Sequence, residues 1–175
     1  MDFKEFQDTV LERLDCYLDE LKVQKDSAIE VDKLILENPK IKIPKPDYCE
    51  LAWDEMVNHG LLPLLRKAVP FSPRKDGIGN YVPNITLKIP TGGGKTLLAA
   101  AAVSKIFGRY LSCNTGAVLW IVPNEAIYTQ TKKQLNNREH PFRQMLDRAA
   151  AGRVKVLEKD DPLNKQDIAA VLEHL

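Results

Sequence analysis

The sequence has few of the residues that build metal centres and disulfides. Its three cysteines, Cys16, Cys49 and Cys113, stand far apart with no C-x-x-C pair, and His59, His140 and His174 are as scattered. Zinc sites and redox dithiols need such residues at close spacing, so the cysteines read as reduced thiols and no metal cluster is expected from them. The apolar runs are too short to span a bilayer. Residues 1–25 are charged throughout, unlike a secretory leader. These absences point to a cytoplasmic address and no membrane partner. Internal repeats and low-complexity tracts are missing too.

Net charge is also small, +1 over 175 residues, but the balance is uneven. Residues 1–50 carry 8 Lys/Arg against 13 Asp/Glu, and the rest of the chain carries 17 against 11. The basic part suits a polyanionic partner. Apolar residues at 44% and charged residues at 28% describe an ordinary globular chain, long enough for one domain or part of a larger one.

Residues 3–37 have a helical period: Phe3, Phe6, Val10, Leu14, Tyr17 and Leu21 fall on one face, and Ala28, Val31, Leu34 and Ile35 continue it after a break near Asp26-Ser27. Such a segment serves as a docking helix or as a locally packed helical pair. The three prolines of PKIKIPKPDY (39–48) mark an extended linker. Residues 1–48 therefore form a helical N-terminal segment with its linker, and 49–175 a second region. In that region 49–68 reads as helix, with a loop around Pro70, Pro73, Gly77 and Gly79 after it.

From residue 84 strand and helix patterns alternate. ITLKI (85–89), AVLWIV (117–122) and VKVL (154–157) read as strands, the second as one buried on both faces. Residues 95–109, 124–137, 141–150 and 164–175 read as helices, and the alanines of the first allow close packing on a sheet. The expected fold is α/β: a partial P-loop domain with a parallel sheet flanked by helices, preceded by an α-helical segment.

The chemistry concentrates in I-P-T-G-G-G-K-T, residues 89–96, between a strand and a helix. Three glycines let backbone N–H groups wrap a phosphate, and the helix N-terminus adds its positive end. In this phosphate loop Pro90, Thr91, Gly92, Gly93 and Gly94 form the cradle. Lys95 reaches the β- and γ-phosphates of a nucleotide, and the Thr96 hydroxyl completes a Mg²⁺ shell. Ile89 stands where the general pattern G-x-x-x-x-G-K-[ST] has its first glycine.

PTGGGKT resembles motif I of superfamily 2 helicases and translocases. VPNEAIYTQTKKQL (122–135) resembles their motif Ia: Pro123 and Gln130 keep its pattern, while Asn124 and Glu125 replace the commoner Thr-Arg pair. Together with HPFRQMLDRAAAGRVKVLEKDDP (140–162), the chain is similar over 84–168 to the Res subunits of type III restriction enzymes and their DEAD/DEAH relatives. The resemblance implies a RecA-like fold, ATP with Mg²⁺, duplex DNA as the track and a modification subunit as a partner. The end of a strand at Pro123 would set a helix N-terminus beside the phosphate loop, where Asn124 and Thr129 hold a nucleic-acid phosphate. Lys132, Lys133 and Arg138 add sequence-independent attraction.

Several parts of such a motor are missing. No apolar strand runs into Asp-Glu, so no carboxylate pair is placed for Mg²⁺ and the attacking water. Asp19-Glu20 and Asp54-Glu55 lie in helical patterns, and Asp160-Asp161 read as a solvated turn. The second RecA-like domain with its arginine finger is absent, and the chain reads as the front part of a longer enzyme. Superfamily 2 proteins often carry a base-reading glutamine upstream of motif I, yet residues 49–84 contain none; Tyr81 and Phe71 are the aromatic alternatives for stacking. The expectation is an ATP-binding portion of a DNA helicase, translocase or Res-like subunit. A non-catalytic nucleotide-binding or partner-docking module is the alternative, with a second chain supplying the later motifs. A P-loop kinase has no need of VPNEAIYTQ.

Overall fold

The computed structural model describes residues 3–40, 42–62, 70–158 and 161. The helix expected at 164–175, residues 63–68 of that expected at 49–68, and Asp160 lie outside these; within the described residues the latter helix stops at Asn58, with His59 as its C-cap and Gly60 at φ +68°. The chain divides into two compact units, one of Met1–Leu11 with Ile89–Leu175, the other of Glu12–Lys88.

Helix α1 runs Glu5–Glu37 without interruption and crosses from the first unit into the second. The break expected near Asp26-Ser27 does not form: Ser27 Oγ instead donates to Val23 O at 3.0 Å, which absorbs the hydroxyl inside the helix. In the second unit, α2 spans Tyr48–Asn58. Asp47 caps it by accepting from the amides of Cys49 and Glu50. Leu14, Leu18, Leu21, Tyr48, Cys49, Ala52 and Met56 are the buried apolar residues that hold this unit together. Burial pushes the Cys49 thiol up to about 11, so it behaves as a small apolar group. All three cysteines are free thiols, as the spacing predicts.

In the first unit α3 spans Lys95–Lys105 and passes into a π-helical turn, Ile106–Tyr110. Helix α4 is Glu125–Asn136 and α5 is Pro141–Ala149. The expected helices over 95–109, 124–137 and 141–150 thus form where their periodicity and capping residues place them.

The parallel sheet does not form. Among the described residues there is no strand, and the single isolated bridge joins Lys75 to Tyr81. Segments 85–89, 117–122 and 154–157 carry strand-like composition without strand pairing. The alanine-rich α3 lies against α5 rather than on a sheet, with Leu97, Leu98, Ala100 and Ala101 buried. Residues 117–122 were expected to be covered on both faces, but most of the run is exposed: Val118 is 49%, Leu119 85% and Ile121 81% exposed, while only Trp120 and Val122 are half-buried. Those two, with Tyr128, Thr131 and Leu135 of α4 and Val156, line a cavity of about 80 Å³. The physical reason for the difference is that an apolar run reports a preference for burial, not a pairing partner. Parallel pairing is non-local and must overcome loop-closure entropy before any ladder bond forms. Here only Trp120 and Val122 are half-buried, facing α4, and the backbone of the run is left unladdered.

One side chain joins the last three elements of the first unit. Arg143 of α5 is 5% exposed, and its Nη1 donates to Leu135 O at the end of α4, 2.9 Å away. Its Nη2 donates to Val154 O at 2.7 Å, and its Nε to Asp147 Oδ1 at 2.9 Å. The planar guanidinium thereby satisfies an orphan carbonyl of α4, anchors the returning chain and keeps a counter-charge. Replacing it with Met leaves those carbonyls and Asp147 unpaired. We expect Arg143→Met to cost about 2–4 kcal/mol in urea unfolding, and Arg143→Lys, which cannot span three acceptors, to recover only part of it.

Candidate nucleotide site

Pro90 opens the loop and its carbonyl organises it. Gly93 N donates to Pro90 O at 3.0 Å, closing a β-turn whose third residue, Gly92, has φ +76°. A turn of this kind needs positive φ at that position, which glycine adopts without strain. Lys95 Nζ donates to the same carbonyl at 3.1 Å, folding its ammonium back across the loop. Gly93 is required for a different reason: a Cβ there would come within 2.7 Å of Ile89 Cγ2 and 2.9 Å of Pro90 O. Ile89, at the departure from the general motif, thus packs against the turn.

Helix α3 begins directly after this turn. Its N-cap is Gly94 at φ +80°, with no side-chain capping bond. Leu98 N is the first amide bonded inward, to Gly94 O at 2.9 Å. The amides of the preceding first turn, Lys95 to Leu97, have no intrahelical acceptor and stand beside the ammonium of Lys95. Uncapped amides, a helix dipole and one lysine form an anion-binding end. Thr96 is the second residue of α3, so its hydroxyl lies at the same end. All seven residues expected at the site, Pro90 to Thr96, are therefore contiguous in one turn-and-helix unit. No group of three or more His, Cys, Asp or Glu side chains that could hold a metal ion occurs among the described residues. The donor set fits Mg²⁺ only as the partner of a bound polyphosphate, with one hydroxyl from Thr96 and the rest from phosphate and water.

A residue that sequence reasoning missed reaches the loop. Gln7, in the first turn of α1, is 4% exposed and its Nε2 donates to Gly93 O at 2.9 Å. Its Oε1 accepts from Lys4 N at 2.9 Å, half of a capping box. The local signal was readable, a Gln three residues after the helix N-cap; the contact across 86 residues was not.

The residues expected to meet DNA take structural duties as well. Asn124 is the N-cap of α4 and accepts from Ile127 N at 3.0 Å, with Pro123 just before it. Thr129 donates to Glu125 Oε1 at 3.4 Å. Gln130 and Lys133 are exposed on α4, and Arg138 lies exposed beyond its end. Lys132 is paired with Glu158, which also accepts from Tyr128 Oη at 2.7 Å. Hydrogen bonds from Lys132 and then Tyr128 hold the Glu158 carboxyl below the usual glutamate range, and the same carboxylate raises Lys132 and Tyr128. Of the aromatic alternatives for base stacking, Phe71 packs with Trp53 at 6.2 Å and Tyr81 lies under Lys75 at 4.4 Å. Of the carboxylates weighed earlier, Asp161 accepts from Glu158 N at 2.7 Å and closes a local turn.

A turn held by glycines, an uncapped helix start and a lysine bonded back to the turn thus lie together at the start of α3. The chain belongs to the family of the type III restriction enzyme, res subunit, which it matches over residues 58–172. It is the Res-like ATP-binding region of that family, consistent with the N-terminal region of a superfamily 2 helicase. Neither the curated proteins nor the solved structures compared with the chain give a match. No helix among the described residues is long and apolar enough to cross a membrane.

Two measurements test this geometry. Gly93→Ala should unfold the turn, raising amide exchange from Gly93 to Leu98 more than Gly92→Ala does, since the latter meets strain in φ but no atom within 4 Å. For the ion pair, the folded Glu158 pKa is lowered, so its contribution is present above the ordinary glutamate value and lost as pH falls through the folded one. A carbon-detected NMR titration should place the Glu158 midpoint below that of an unpaired glutamate, and Lys132→Ala should move it upward.

Proposed function

We propose that the chain binds MgATP through Pro90–Thr96 and, within a Res-like helicase or translocase, couples its hydrolysis to movement along duplex DNA. The observation that carries this reading is the loop itself: a glycine turn closed on Pro90 O, an uncapped α3 N-terminus and Lys95 across both. Lys95 would exchange its bond to Pro90 O for the β- and γ-phosphates, a charge-assisted contact that is stronger than one to a neutral carbonyl. Thr96 would supply its hydroxyl to the Mg²⁺ that neutralises those phosphates. Residues 49–175 carry the nucleotide region in this reading, with 1–48 as a preceding helical segment and linker.

The start of α4 is the proposed DNA face. Pro123 and Asn124 present the helix N-terminus, with Thr129, Gln130, Lys132 and Lys133 along it. Lys133 is exposed, whereas Lys132 shares its charge with Glu158. Movement along DNA needs carboxylates for Mg²⁺ and water beyond those found here, so turnover depends on residues outside the phosphate loop. A modification subunit, or a second chain that supplies those groups, is the proposed protein partner, and the cytoplasm the proposed compartment.

Titration with a fluorescent ATP analogue and Mg²⁺ is the direct test. Saturable binding, weakened at least about tenfold in Lys95→Ala, is the expected result, with negligible multiple-turnover hydrolysis by this chain alone. Binding indifferent to Lys95 would dismiss the site, and Lys95-dependent turnover would show that the catalytic carboxylates are already present. The other reading, a nucleotide-sensing docking module, would show binding with no effect of duplex DNA on it.

A further inference from the structure

We propose that Gln7 is a latch that sets the phosphate loop, and not a reader of the base; this rests on the phosphate-loop reading above. Its amide has two polar ends and both are committed. Oε1 accepts from Lys4 N at 2.9 Å, and Nε2 donates to Gly93 O at 2.9 Å in a buried bond. With 4% of its surface exposed, Gln7 lacks the exposure to face a nucleobase edge.

The bond falls where the loop most needs it. The Gly93 peptide lies between the two left-handed glycines, Gly92 at φ +76° and Gly94 at φ +80°. Glycine crosses readily between left- and right-handed φ, so this stretch has little intrinsic preference for one arrangement. Fixing the Gly93 carbonyl fixes the plane of the peptide that follows it, and so the direction of the Gly94 N–H. A peptide flip there would turn a donor away from an anion and a carbonyl toward it. The fit is close: a Cβ on Gly94 would stand 2.7 Å from Gln7 Nε2. The first turn of α1 thereby holds the loop in its donor-inward form at the entrance to α3.

The same glutamine also caps α1, and the variants must separate the two roles. Gln7→Glu keeps the capping acceptor for Lys4 N, since glutamate serves as well at that position, but removes the donor to Gly93 O. Gln7→Met is neutral and of similar length, which controls for the added charge. Each would be titrated with MgATP, MgGTP and inorganic tripolyphosphate, beside thermal unfolding and ¹⁵N-glycine spectra of the ligand-free chain. The expected result is a loss of about tenfold, the worth of one buried hydrogen bond, by the same factor for all three ligands in both variants. The Gly93 and Gly94 resonances should shift in both variants.

Retained tripolyphosphate affinity with a changed ATP-to-GTP ratio would overturn the latch in favour of base reading. Unchanged affinity for all three ligands would reduce Gln7 to a helix cap. Failure of the parent chain to bind any of them would overturn the phosphate-loop reading instead. The latch would then be judged on the glycine resonances alone, and unshifted Gly93 and Gly94 signals in Gln7→Glu would overturn it too.

Discussion

The Pro90 carbonyl is the point on which the nucleotide end depends. It accepts from Gly93 N and from Lys95 Nζ, so one acceptor both closes the turn and holds the cation that the turn presents. That double use is possible only because the turn carries no side chain where its backbone crosses itself: a Cβ on Gly93 would collide with Ile89 and with that same carbonyl. The turn in turn delivers the chain to Gly94 in a left-handed conformation that starts α3 without a side-chain cap. An ordinary Ser or Asp cap would satisfy the first-turn amides internally. Glycine leaves them without an internal acceptor, at a cost in helix stability of a few tenths of a kcal/mol, roughly.

The helical part of the first unit supplies the rigidity this end lacks. α3 buries Leu97, Leu98, Ala100 and Ala101, and its neighbour α5 is fixed by Arg143 to the end of α4 and to the chain at Val154. Small alanine side chains bring α3 close to its neighbour, and a single guanidinium answers carbonyls that would otherwise be buried without donors. Packing that was expected to form against a sheet forms between helices. The family to which the chain belongs is matched over residues 58–172.

What the sequence disclosed divides along the line between local and distant interactions. The helices α3, α4 and α5 were legible, because periodicity acts over a few residues, while the cap that Asn124 provides to α4 was not read from the sequence. The continuity of α1 past Ser27 was misjudged only because a serine hydroxyl can bond either inside a helix or against it. The strands were read from AVLWIV, ITLKI and VKVL, and there the inference failed. Composition measures how much a segment gains by leaving water, yet in this run only Trp120 and Val122 are half-buried, while Val118, Leu119 and Ile121 are exposed. Gln7 was missed for the same reason in reverse: its capping role is local and its bond to Gly93 spans the chain.

Charge on α4 obeys a similar economy. A basic helix face reads, in sequence, as a uniform attraction for phosphate, yet each lysine has its own surroundings. Lys132 holds Glu158 and lies 5.9 Å from the Tyr128 ring, so an incoming phosphate must compete with a carboxylate already in place. Lys133, one residue on and turned by about 100° around the helix, is exposed and carries no such charge-pair among the described contacts. Adjacent lysines thus differ in kind: one ties the chain near 158 to the helix, the other is exposed on its face. Net charge alone, +1 for the whole chain, could not separate these roles. A phosphate that did displace Glu158 would release the 158 segment from α4, and binding at this face would then be felt in the segment that follows Val154.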